Sequence, residues 1–254
     1  EIIFQTTQNT FSVMNPLRNG NFTSSGIVAL TTNPTAKAEK EGAIFSVGGL
    51  TYIQKKKRER KLKRSIESGT TGRECWWGKV CELQAFNVLP TAYSISSDCT
   101  EFHPKHSNWC GSKDGEKHSE VKTVFDIKCP FTLDSFCTFA ECKTIDEVRD
   151  LHKDGEKYYW QLVSNACITG ATHAELIVYC PYQYELDEIR ELASNYDGNQ
   201  NKVAWINFAS DDELPYLLRE GEYKNLHIIS FEVPESDKLF LENRIIEATK
   251  LLNA

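Results

Sequence analysis

An α/β (α+β) fold follows from the order in which strand-like and helix-like segments alternate along the 254 residues. Three observations carry it. VFDIKCPF (124–131) and ELIVYCPY (175–182) are short apolar runs rich in β-branched and aromatic residues, the character of core strands. Between them lie stretches of helical character near 144–150 and around Gln161. Near the C-terminus, LHIISFEV (226–233) reads as a strand and DKLFLENRIIEATKLL (237–252) as a helix of amphipathic period.

Residues 1–45 read as loop and short helix, with Ser24 or Ser25 as N-cap of a helix over 25–32. A basic helix is expected over 51–67, then a helix across about 74–90 that carries Glu82. Strands are expected near 92–97, 107–112, 120–129 and 174–180. The stretch 187–224 suggests no function, and no internal repeat is visible.

A chain of this length, 40% hydrophobic, can bury one sizeable core. No apolar run approaches the ~20 residues needed to span a bilayer, and no secretory leader is expected. Nine cysteines, an odd number scattered through apparent helices and strands, argue for reduced thiols in a cytoplasm rather than a disulfide framework.

Charge is uneven. The chain carries −7 overall, yet KKKRERKLKR (55–64) is locally +7, leaving −14 elsewhere. Lys55, Lys56 and Lys57 are candidates for contact with a DNA backbone, and a solvated helix face is the alternative. Local field matters more than net charge, because the Debye length at physiological salt is only about 8 Å.

The densest chemistry lies in CGSKDGEK (110–117) and VFDIKCPF (124–131). Residues two apart on a strand share a face, so Asp126 and Lys128 point one way while Phe125 and Ile127 point the other. A carboxylate and an ammonium in an otherwise apolar strand need a reason, since an unpaired buried charge is costly. A divalent cation such as Mg²⁺ or Mn²⁺ is one reason, as carboxylate oxygens suit hard ions; an ordinary ion pair is the other. Asp114-Gly115 is a turn signal expected to start a hairpin and to fold Asp114 back as a second ligand. Glu120-Val121-Lys122 repeats the acid-any-lysine pattern, but without apolar flanks it reads as an exposed hairpin arm. Cys99, His103, His106 and Cys110 could furnish zinc ligands, although their spacing is not that of a standard finger and Pro104 interrupts it.

These segments resemble the PD-(D/E)XK nucleases, and within them the phage lambda exonuclease and YqaJ-like viral recombinase family. Its Ser-Pro-Asp-Gly and Glu-any-Lys-Cys-Pro-Phe pattern stands here as Ser112-Lys113-Asp114-Gly115 and Asp126-Ile127-Lys128-Cys129-Pro130-Phe131. Lys113 replaces proline, and Asp126 replaces glutamate. WWGKVCELQAF (76–86) is similar to the family's Gly-Lys-any-any-Glu helix, and YYWQLVSNACITG (158–170) to the helix whose glutamine faces the site. RNGNFTSS (18–25) matches Arg-any-Gly-any-any-Thr-any-Ser. The resemblance spans about 15–185, with five segments in order.

The resemblance implies a restriction-endonuclease-like core with a central mixed sheet flanked by helices. It implies one nuclease domain over 1–254, with its core at about 15–185 and a C-terminal elaboration at about 187–254. Catalytic roles fall on Glu82, Asp114, Asp126, Lys128 and Gln161. Two metal ions would be held by Asp114, Asp126, the Ile127 carbonyl and Glu82, and Lys128 would position or deprotonate the attacking water. Arg18, Ser25 and Ser112 would grip the DNA end. Cys129 is a small apolar plug behind the site. The activity implied is 5′→3′ degradation of one strand of duplex DNA, leaving 3′ overhangs for phage-type recombination with a single-strand annealing protein. A homo-oligomer is implied, a ring trimer first, in the cytoplasm of a bacterial cell. Where lambda-type enzymes carry an arginine after the Lys-Cys-Pro-Phe segment, this chain has Asp134, which cannot bind phosphate directly. A 5′-phosphate requirement is therefore not carried over. A structure-specific or endonucleolytic enzyme and a non-catalytic DNA-binding relative are the alternatives.

Overall fold

The structure, a computed structural model, describes residues 16–66, 72–96 and 99–254. The expected loop and short helix over 1–15 lies outside the described residues, as do residue 67 of the expected basic helix and residue 97 of the first expected strand. In chain order the elements are β1 (Phe22–Thr23), α1 (Val28–Thr31), α2 (Ala36–Lys40), α3 (Val47–Leu62), α4 (Arg73–Val88), β2 (Tyr93–Ile95), β3 (Glu101–Phe102), β4 (Trp109–Gly111), β5 (Gly115–Lys117) and β6 (Thr123–Lys128). They continue with α5 (Leu133–Glu141), α6 (Ile145–Leu151), α7 (Gly155–Thr169), β7 (His173–Tyr179), α8 (Leu186–Ser194), α9 (Gln200–Val203), α10 (Trp205–Phe208), β8 (Leu226–Glu232) and α11 (Glu235–Asn253).

The central sheet has five strands in the order β2-β5-β6-β7-β8. It is mixed, because β6 and β7 run parallel while the other neighbours are antiparallel. The parallel step needs a crossover, and α5, α6 and α7 supply it. Strand alternation sorts the two faces. Phe125, Ile127, Ile177 and Tyr179 pack with Trp77, Val80 and Ala85 of α4 and with α8. Val124, Leu176 and Val178 pack on the opposite face with Leu162, Val163 and Ala166 of α7 and with Leu241 and Ile245 of α11. The sheet is thus covered on both faces, which its nearly unbroken apolar central strands require. Its fifth strand comes from 226–232, inside the segment expected as an elaboration on the 15–185 core.

A second, three-stranded sheet in the order β1-β4-β3 carries the chain into the first. Thr23 pairs with Cys110, and two residues after β4 the chain reaches Lys113 and Asp114 before entering β5. Gly20, at φ +72, turns the chain into β1, and a Cβ there would meet the Arg60 side chain at 2.4 Å.

Three local expectations are corrected. Asp114-Gly115 is not the hairpin turn: Gly115 opens β5 opposite Phe125, and the hairpin closes through 118–122, with Glu120 exposed in that connection. Glycine is required at 115 for close approach, since a Cβ would meet Ser94 O at 2.1 Å and the Phe125 ring at 2.4 Å. Neither Ser24 nor Ser25 caps a helix, because α1 starts after Ile27 without a side-chain cap and Ser24 instead bonds Ser164 across 2.8 Å. The basic helix begins at Val47, where Ser46 Oγ accepts the Gly49 N–H at 3.1 Å, and stops at Leu62 before Lys63 in the left-handed region. The Ser46 cap sets the start four residues before the expected one.

Candidate active site

Asp126 lies at 1% exposure on the α7 face of β6, and Lys128 follows on the same face at the strand end. From α7, the Gln161 amide donates to Asp126 Oδ1 at 2.7 Å. Asp126 Oδ2 touches the Lys128 ammonium but accepts no well-directed hydrogen bond. Asp114 folds back as expected, by a different device from a hairpin turn. Its own N–H donates to Phe125 O at 3.2 Å, and its Oδ2 accepts the Ile127 N–H at 2.6 Å. A strand residue presents its N–H and C=O on the same edge, so the Ile127 carbonyl lies on the Asp114 side.

Glu82, half-buried on α4, is near enough for its charge to act on Asp114. Burial pushes the Asp114 carboxyl well above the ordinary carboxylate range; the charges of Asp126 and Glu82 add to it, against Lys128 and the Ile127 amide. Burial alone would depress Lys128, but Asp126 and Asp114 outweigh it and hold the amine above its usual value. An ammonium held in this way is fitted to steady negative charge. The Tyr158 ring lies 5.1 Å from Lys128 Nζ, within cation–π range.

Among the described residues, no three His, Cys, Asp or Glu side chains gather at metal-ligating spacing. Like charges repel, and the Lys128 ammonium lies on the Asp126 oxygen nearest it. The donor set still fits a hard divalent cation. Its ligands would all be oxygens, the buried Asp126 Oδ2 has an ammonium contact but no well-directed hydrogen bond, and the Asp114 and Asp126 carboxylates share one ammonium. Cys129 is half-buried against the α4 cluster, and burial with the Glu82 and Asp114 charges pushes its thiol well above the usual range. It is uncharged filler.

The expected end-gripping residues are partly brought together. Arg18 Nη2 donates to Ser25 Oγ at 3.1 Å, and Thr23 and Ser25 hydroxyls lie 3.4 Å apart. Ser112 sits instead beside Thr100, with hydroxyls 3.3 Å apart, while its carbonyl accepts from Asn165 at 3.5 Å. Asp134 is exposed in the first turn of α5, where a carboxylate suits the helix dipole.

The lysine run divides. Lys56 is 6% exposed and donates to Glu59 at 3.0 Å, so it is committed to the interior and departs from its expected DNA-facing role. Glu59 also accepts the Gly20 N–H at 3.0 Å. Arg60 is likewise engaged, by Gly20 O at 2.8 Å and Asn108 at 2.5 Å. Lys55 and Lys57 are half-exposed, and Arg58, Lys61, Lys63 and Arg64 are exposed. Of the four residues weighed for zinc, His103 stacks on Trp109 with ring centroids 4.6 Å apart, and His106 Nε2 bonds Glu242 at 2.8 Å. Cys99 is exposed and Cys110 is buried in β4. All nine cysteines are free.

Sequence reasoning missed Tyr158, Ser164 and Asn165. Tyr158, Gln161 and Asn165 recur at helical spacing on α7, so the face bearing Gln161 could have revealed two of them. Ser164, which accepts from Trp109 Nε1 at 2.8 Å and bonds Ser24, carries no comparable signal.

No protein-family model matches this chain, and no curated protein matches it. Solved structures do. An alkaline exonuclease (LHK-Exo) from Laribacter hongkongensis superposes with a TM-score of 0.56 at 14% identity, over 93% of this chain and 89% of that one. LHK-Exo in complex with dAMP gives 0.57 at 14% identity, over 94% and 90%. A phage-related exonuclease from Haemophilus somnus 129PT gives 0.60 at 14% identity, over 91% and 93%. The fold is that of these exonucleases along nearly the whole chain. Among the described residues no helix is long and apolar enough to cross a membrane.

Proposed function

We propose that this chain is a metal-dependent exodeoxyribonuclease that degrades one strand of duplex DNA from its 5′ end and leaves 3′ single-stranded overhangs. The observation that carries the reading is the group at the end of β6. Asp126 is held by Gln161, Asp114 is held by the Ile127 amide, and both stand beside the Lys128 ammonium. The exonucleases of like fold support the same reaction class.

Asp114, Asp126, the Ile127 carbonyl and Glu82 would hold divalent ions, Mg²⁺ or Mn²⁺, in two positions. Such ions lower the pKa of water and compensate charge on phosphorus. Lys128 steadies the charge that grows on the phosphate in the transition state. Gln161 fixes Asp126 and orients water or the scissile phosphate. Arg18 and Ser25, already bonded to each other, hold the DNA end together with Ser112. Asp134 offers no positive charge, so a 5′-hydroxyl end is expected to be digested as well as a phosphorylated one. The sequence resemblance supports a single nuclease domain, a ring-shaped homo-oligomer with a trimer favoured, a cytoplasmic setting in a phage-infected or prophage-bearing cell, and transfer of the product to a single-strand annealing protein in recombination.

The test is digestion of linear duplex labelled at each end, with and without 5′-phosphate, in Mg²⁺ or Mn²⁺. Loss of label from the 5′ end, slowed about 10²–10³-fold by Lys128→Ala, is the expected result. Cleavage of covalently closed circles would replace the exonuclease with an endonuclease. Intact DNA with the wild-type protein would leave only a DNA-binding role.

A further inference from the structure

Lys113 stands where the sequence gives no reason for a buried charge. It lies between Ser112 and Asp114, in the middle of the three-residue passage from the small sheet into the central one, and is only 6% exposed. Its ammonium contacts Glu101 on β3 and lies 3.3 Å from Glu116 on β5. Those two strands belong to different sheets. The lysine therefore ties the small sheet to the central sheet beside the residue whose carboxylate must reach the Ile127 amide.

The bonds on either side strengthen the case. The Ser96 N–H donates to Asp114 O at 2.9 Å, and the Asp114 N–H donates to Phe125 O. The Asp114 backbone is thus pinned to the central sheet. Ser112 is pinned on the other side, by Thr100 of the segment leading into β3 and by Asn165 of α7. Among the described residues of this passage, the Lys113 side chain is the one with partners on both sheets. A proline at this place would limit φ covalently; a lysine cannot, and side-chain ion pairs supply the constraint instead. Lys113 is buried while its Glu101 and Glu116 partners are 40% and 33% exposed at their side chains, so these pairs are screened less than fully exposed ones but not shielded from water.

We propose that Lys113 is a positioning residue for metal binding, acting through Asp114, and that Glu101 and Glu116 serve as its anchors. The proposal rests on the reading of Asp114 as a metal ligand. Groups that orient a ligand typically change metal affinity by about 10–100-fold when removed.

The experiment is calorimetric titration of the DNA-free protein with Mn²⁺, with the thermal midpoint measured in parallel, on wild type, Lys113→Met, Lys113→Arg, Glu101→Gln and Asp114→Asn. Lys113→Met is expected to weaken Mn²⁺ binding by at least about tenfold, with substantial recovery in Lys113→Arg. Glu101 is 40% exposed at its side chain, so Glu101→Gln gives a folded variant if Lys113→Met is not; it is expected to weaken binding in the same direction. Wild-type affinity in folded Lys113→Met, or in Glu101→Gln where that is the folded variant, with Mn²⁺ binding lost in Asp114→Asn, would overturn the role of Lys113 and leave the site reading intact. Unchanged binding in Asp114→Asn would overturn the site reading and the proposal together.

Discussion

Two buried carboxylates lie one register step apart in the central sheet and have opposite surroundings. Glu175 on β7, opposite Phe125, is 2% exposed and fully partnered. It accepts from Tyr93 OH at 2.7 Å, Lys117 Nζ at 2.7 Å and Ser230 Oγ at 3.0 Å. Asp126, opposite Leu176, is equally buried; Gln161 donates to one oxygen, the other touches the Lys128 ammonium without a well-directed hydrogen bond, and the Asp114 carboxylate stands near it. A protein that needs a carboxylate only for stability surrounds it with donors. One whose second oxygen meets only a single, poorly directed ammonium, beside a like charge, retains the capacity to bind a cation. Burial alone does not distinguish the two groups; the supply of donors does.

The largest effect expected from this contrast is on activity. Asp126→Asn should cut metal-dependent digestion by about 10³-fold or more while moving the unfolding midpoint less than the Glu175 change does. Digestion rates and urea denaturation on the same preparation check both halves, and a large midpoint drop would make Asp126 a structural group like Glu175. Glu175→Ala should act in reverse. Breaking a buried pair costs about 3–5 kcal/mol, but Lys117 is partly solvated, so about 2–3 kcal/mol is expected. Urea unfolding measures it, and residual activity in the folded fraction should stay near wild type.

A third carboxylate sharpens the comparison through pH. Burial opposes the charge on Glu59, yet the Gly20 amide and the Lys56 ammonium outweigh it and hold the group below its usual range. A depressed pKa means the folded state binds the proton more weakly than the unfolded one. Its stabilisation is thus complete above the ordinary value of about 4.3 and is lost as pH falls through the lower folded value. Wild type should lose stability over that acidic window more steeply than Glu59→Gln, as denaturation series across it will record. The smallest effect concerns the outer face of α3. Reversing charge at Lys55 and Lys57 should weaken DNA binding and flatten the slope of log affinity against log salt by about one for each phosphate left unneutralised. An unchanged slope in fluorescence anisotropy would return both residues to solvated surface.

Much of the site was legible locally. The alternation in VFDIKCPF put Asp126 and Lys128 on one face, and α7 brought Gln161 to the former. The lysine run was legible as a helix but not as two populations. Which of its cations turns inward depends on Glu59 and on Gly20, some forty residues earlier in the chain, and no helical period reports such a partner. Asp114 was expected to return toward β6, yet its device was misread. Asp-Gly is a turn signal only where the backbone is free to turn, and here strand pairing with Phe125 occupies it.

The sequence by itself determined the central strands near 124–129 and 175–180, the helix around Gln161, the shared face of Asp126 and Lys128, and the helix that carries Glu82, because each is set by neighbours within a few positions. Tertiary structure alone decided the bond from Asp114 to the Ile127 amide, the two-sheet anchorage of Lys113, the inward turn of Lys56, and the placement of β8 as the fifth strand. Each of these joins elements far apart in the chain or across different sheets. Their partners are fixed by strand register and by the burial of apolar faces, which a local pattern does not encode.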